Sequence, residues 1–102
     1  MAKGFELFVN EEPELGKAYG GMVMQVAKSS ALDQKTQELA YLAVLSALGM
    51  TGGLGFHVTS LKKLGATREE VRSAVLVGLP AGGRTAIEAL GAALDAYDAA
   101  EA

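Results

Sequence analysis

The chain has 102 residues, enough for one domain at roughly 100–200 residues per domain, and its 50% hydrophobic and 21% charged composition with two prolines is that of a globular protein. It contains no cysteine, which excludes a disulfide scaffold, a thiolate zinc site and any cysteine nucleophile or redox pair. The net charge is -3 and every charged residue after Arg84 is acidic (Glu88, Asp95, Asp98 and Glu101), the reverse of the concentrated positive face that a nucleic-acid module needs.

The opening MAKGFELFVNEE lacks the apolar core of a signal peptide, and no uncharged apolar run reaches the roughly 20 residues of a membrane span, so a cytoplasmic protein is expected. Alanine and leucine dominate the apolar set and nothing alternates with period two, which predicts an all-α domain. A first helix is predicted from Pro13, capped by Asn10 to Glu12, with Leu15, Tyr19, Met22, Met24 and Val26 as its apolar face and Gly16, Gly20 and Gly21 weakening it. Asp33 is suited to cap a second helix, with help from Gln37, and Gly49 to end it in the left-handed conformation. Its middle, LAYLAVLSAL over 39–48, is apolar nearly all round and must be covered on every side. A chain this short cannot surround it alone, which predicts a partner subunit.

The glycine-rich MTGGLGF leads into a third helix with His57, Leu61 and Leu64 on one face, stopping at Gly65. Thr67 and Glu70 form a capping box for a fourth helix with a Val71, Val75 and Leu79 stripe, broken over 80–83. A last helix is expected over about 85–97, with Ile87, Leu90, Leu94 and Tyr97 as its stripe, and the end DAYDAAEA is expected to fray. Lys62, Lys63 and the charges of TREEVR read as helix capping and solvated surface.

Three features can carry chemistry. His57, the sole histidine, is either a core residue tied to a backbone carbonyl or a general acid/base. Glu38 lies on the stripe of Leu42 and Leu45, so it is either drawn inward, where an unpaired carboxylate costs several kcal/mol, or reaches solvent from near the helix start. The short glycine turn makes the second and third helices an antiparallel pair in which Glu38 can orient His57 as a proton relay. The glycines at 49, 52, 53 and 55 match no phosphate-binding motif; either they permit close packing, or Gly52 and Gly53 clear room for substrate beside His57 and leave amides for an anion. Arg84 either pairs with Glu88 one turn on or binds a substrate carboxylate.

The stretch 32–94, through LDQKTQELAYLAVLSALGM, His57 and LGATREEVRSAVLVGLPAGGRTAIEAL, resembles the alkylhydroperoxidase D and carboxymuconolactone decarboxylase family. The resemblance implies an all-helical bundle subunit, a single domain over 1–102, and assembly as a homotrimer or homohexamer. In the redox branch a C-x-x-C-x-x-x-H motif opens the third helix, twelve residues after a glutamate. Here Glu38 and His57 fall on the glutamate and the final histidine, whereas Met50 and Gly53 replace the cysteines and Gly52 replaces a second histidine often found there. Thiol-dependent peroxidase chemistry does not carry over, whatever label of peroxiredoxin-like activity the family bears. The decarboxylase branch, which lacks the cysteine pair and needs no cofactor or metal, implies an acid/base lyase on a small carboxylated lactone or ring. His57 and Glu38 would then be catalytic, and Arg84, Gly52 and Gly53 would bind substrate. A catalytically silent oligomer with the same fold is the alternative.

Overall fold

The computed structural model describes residues 3–101, which form seven helices and no strand among the described residues: α1 (Lys3–Glu11), α2 (Pro13–Ser29), α3 (Gln34–Leu48), α4 (Leu54–Lys63), α5 (Arg68–Val77), α6 (Leu79–Gly82) and α7 (Arg84–Ala99). None of these helices is long and apolar enough to cross a membrane. Helices α3, α4, α5 and α7 pack around a core of Leu42, Leu54, Val58, Leu61, Val71 and Val75, with alanines 66, 74, 89 and 93 filling the gaps between them.

Local chemistry explains the helix boundaries. The Asp33 carboxylate accepts the Thr36 amide at 2.8 Å, and Gln37 contributes to that cap only through the backbone. Gly49 closes α3 in the left-handed region (φ 73°), so that Met50 N–H reaches the Leu45 carbonyl at 2.9 Å. The same closure ends α4: Gly65 sits at φ 89° and Ala66 N–H returns to the Leu61 carbonyl at 2.9 Å. The capping box at Thr67 and Glu70 is complete in both directions.

Four expectations need correction. A helix, α1, over residues 3–11 precedes the one predicted from Pro13 and takes in Asn10 and Glu11, and Glu12 precedes α2 without any side-chain cap. Phe5 and Phe8 pack on Tyr19 of α2 (centroids 6.0 and 6.1 Å), while Val9 seats against Gly16, where a Cβ would stand 3.3 Å from it. Gly16 therefore serves a close helix crossing.

The core face of α7 is Ala86, Ala89 and Ala93, not the larger stripe; Ile87 is exposed and Leu90, Leu94 and Tyr97 lie at the margin. Small side chains let α7 approach α4 and α5 closely, and that proximity displaces the bulky residues to the edge. The segment 80–83 holds a helical turn, α6, and the reversal occurs at Gly83 alone (φ 56°). The end of α7 stays helical to Ala99 because Lys62 donates to the Tyr97 and Ala100 carbonyls, both at 2.8 Å, and Arg68 holds Asp98 at 2.8 Å.

The second predicted helix, now α3, is only half covered by its own chain. Leu42, Ala43, Leu45 and Ser46 are buried, the Ser46 hydroxyl donating to the Leu42 carbonyl at 2.8 Å, while Tyr41, Val44 and Leu48 remain exposed. Helix α2 is exposed along Leu15, Met22, Val23 and Val26.

Three surface carboxylates connect this scaffold to pH. The Thr36 amide lowers the Asp33 pKa, the Thr67 amide together with Lys35 lowers that of Glu70, and Arg68 lowers that of Asp98. Each prefers its charged form in the folded state, so its contribution is present above the unfolded value near about 4 and is lost as pH falls through the lowered folded value. Thermal unfolding should therefore be nearly independent of pH from 7 to about 5 and decline below about 4. Asp33→Ala should shrink that decline, and an unchanged acid limb would refute this account.

Candidate functional site

Glu38 lies in the second turn of α3, placed there by the Asp33 cap, and His57 lies in the first turn of α4, its amide bonded to the Gly53 carbonyl at 3.3 Å. The two side chains meet across the helices: His57 Nδ1 stands 3.0 Å from Glu38 Oε2. Both are about a quarter exposed (24% and 25%), so the carboxylate is neither buried without a partner nor fully solvated.

An ionised carboxylate can only accept, which makes Nδ1 the protonated nitrogen of the neutral ring and leaves the Nε2 lone pair for an outside partner. Tyr41 and Phe56 flank the imidazole, with centroids 5.0 and 5.3 Å away and planes at 72° and 90°. Neither carries a motif signal, though Tyr41 follows Glu38 by three residues and so shares its face of α3.

Arg84 lies elsewhere. Its side chain is 89% exposed at the start of α7, 3.4 Å from Glu88, in a depression of about 330 Å³ shared with Gly49, Thr51 and Thr85. Gly49 follows Glu38 by eleven positions along α3, roughly 16 Å at the helical rise, and neither Glu38 nor His57 lines that depression. Gly52 lies in the turn before α4 and Gly53 at its first cap. A Cβ on Gly53 would meet nothing within 4 Å, so packing within the subunit does not require glycine there. A second concavity, an open groove of about 500 Å³ between α3 and α5, is lined by Leu39, Ala40, Ala43, Ala74 and Val77 and by neither His57 nor Glu38. Among the described residues no three His, Asp or Glu side chains gather as metal ligands.

The family model for the carboxymuconolactone decarboxylase family matches residues 13–96, most of the chain. The chain belongs to the carboxymuconolactone decarboxylase family. The match begins at Pro13 and so includes α2 as well as the stretch 32–94. A crystal structure of an apo carboxymuconolactone decarboxylase family protein from Legionella pneumophila is similar at 34% identity and a TM-score of 0.80, covering 93% of this chain and 85% of that one. No curated protein matches the chain significantly. The all-α bundle is thus the fold of this family, and the absence of cysteine sets this member apart from thiol-peroxidase chemistry.

Proposed function

We propose that this member of the family is a cofactor-free acid/base enzyme of the decarboxylase kind, acting on a small carboxylated lactone or ring compound. The 3.0 Å Glu38–His57 contact in a chain without thiols carries the reading. In the reaction, the bond between a ring carbon and its carboxylate breaks and carbon dioxide leaves. The electron pair passes into the unsaturated ring system, and that system takes a proton from Nε2–H. His57 begins as imidazolium and ends neutral, to be reprotonated from solvent, while the Glu38 carboxylate stabilises the charged ring and holds its orientation.

Gly52 and Gly53 keep the approach to His57 low in this scheme. The departing carboxylate must not be clamped, since that would stabilise the ground state. Arg84 is assigned the carboxylate that the substrate retains, supplied from a neighbouring subunit, since the depression that holds it within one chain includes neither Glu38 nor His57. Assembly as a homotrimer or homohexamer in the cytoplasm completes the proposal. It is supported by the uncovered apolar residues Met22, Val23 and Val26 of α2 and Val44 and Leu48 of α3. Neither nucleic acid nor a membrane belongs to it.

Carbon dioxide release from a panel of small unsaturated lactone carboxylates, with no added cofactor, tests the reading. One equivalent released per substrate is expected, and added hydroperoxide should remain unconsumed. The partial exposure of the pair within one chain favours a second reading, a silent oligomer. An inert panel together with a His57→Ala variant that folds and assembles like its parent would establish that reading instead.

A further inference from the structure

The Glu38 carboxylate fixes one edge of the His57 ring but does not set the plane of that ring. A quarter-exposed imidazole is also not held by burial, since solvent borders part of its surface. A second contact on α3 supplies the missing constraint. Tyr41 follows Glu38 by three residues, so both face α4 from one rigid helix, and its ring meets the imidazole edge to face at 5.0 Å and 72°. Phe56 also touches the ring, but as the chain neighbour of His57 on α4 it is not anchored to the helix that carries the carboxylate. The Tyr41 hydroxyl has no hydrogen bond among the described residues, and 43% of the residue is exposed, so its effect on His57 runs through the ring face.

We infer that Tyr41 is a positioning residue, which holds the imidazole plane so that Nδ1 stays on Glu38 and Nε2 points to the open side. Its consequence for catalysis rests on the acid/base reading above; the positioning itself does not. Edge-to-face pairing of this kind corresponds to roughly a two- to tenfold bias in population. Without the ring, the imidazole leaves Glu38 more often and samples its other neutral tautomer.

His57 is the sole histidine, so protein labelled with 15N in histidine presents one imidazole to long-range 1H–15N spectroscopy. At a pH where the ring is neutral, the parent protein should show a protonated-type Nδ1 and a lone-pair-type Nε2. Tyr41→Leu should draw the two shifts toward each other by that two- to tenfold change in population, while Tyr41→Phe keeps the parent pattern. Tyr41→Met, also without a ring, serves if the leucine variant does not fold. Unchanged shifts in a folded leucine or methionine variant would overturn the assignment, as would a phenylalanine variant that behaves like leucine, which would transfer the effect to the hydroxyl. The spectrum needs no substrate. A panel that releases no carbon dioxide while the shifts respond as stated would sink the catalytic reading and leave Tyr41 in its role. Where a substrate turns over, Tyr41→Leu should lower kcat and leave KM unchanged.

Discussion

His57→Ala should reduce carbon dioxide release by about 10²- to 10⁴-fold, the usual contribution of one positioned proton-transfer group. The imidazole is the only side chain of this chain that changes charge near neutral pH without a perturbed environment, so nothing else at the pair can replace it. Glu38→Gln keeps an oxygen that can accept from Nδ1–H and thus preserves much of the geometry, but it removes the negative charge that lies 3.0 Å from the ring. A charge-assisted hydrogen bond thereby becomes a neutral one, a difference on the order of 1 kcal/mol, so a loss on the order of 10-fold in carbon dioxide release is expected.

Both side chains lie at the rim of the bundle, about a quarter exposed, whereas the core depends on Leu54, Val58 and Leu61 of α4. Unfolding midpoint and assembly mass should therefore be unchanged in both variants. Full activity in the pair of them would remove the acid/base assignment, and a loss accompanied by dissociation would show a structural role instead.

The helix ends were legible in the sequence because they are local events. Asp33 needs only the Thr36 amide, Thr67 only Glu70, and Gly49 only its own φ, and each is encoded within a few residues. What escaped was set by partners distant in the chain. α1 is recognised as a helix when Phe5 and Phe8 find Tyr19 and Val9 finds Gly16. On α7, the large residues at three- and four-residue steps are the stronger periodic signal, yet the alanines win the core because α4 and α5 come too close for anything larger.

The candidate site divides in the same way. The placement of Glu38 and His57 on facing helices could be argued from the glycine turn, but their 3.0 Å contact depends on how residues 49–53 cross between the helices. Arg84 lies in a depression that neither Glu38 nor His57 lines, a separation that sequence spacing does not disclose. Tyr41 was one turn from a residue already singled out, and it was hidden in an apolar run that reads as core.

Gly82→Ala and Gly91→Ala should move stability in opposite directions, although each replaces a glycine within a helix. At Gly91, on the exposed side of α7, a new Cβ meets nothing within 4 Å, so the substitution adds helix propensity and reduces the freedom of the unfolded chain. A gain of about 0.4–1 kcal/mol is expected there. At Gly82 the Cβ would lie 2.8 Å from Ala47 Cα and 3.0 Å from the Ala47 carbonyl oxygen; at Gly78, one turn earlier, it would lie 2.8 Å from the Ala43 carbonyl oxygen. All three obstacles are backbone atoms of α3, which cannot rotate aside as a side chain can. α6 must withdraw from α3, and overpacking of this kind costs about 1–3 kcal/mol.

The segment GLPAG is thus a seat for Ala47, with glycine at both ends of one turn. Because both glycines press on the same short stretch of α3, the Gly78→Ala and Gly82→Ala losses should sum to more than the double variant shows: once α6 has moved for one methyl, the second meets less resistance. Thermal unfolding followed by circular dichroism at one fixed protein concentration measures all four proteins. A Gly82→Ala variant as stable as its parent would mean that α6 does not rest on Ala47.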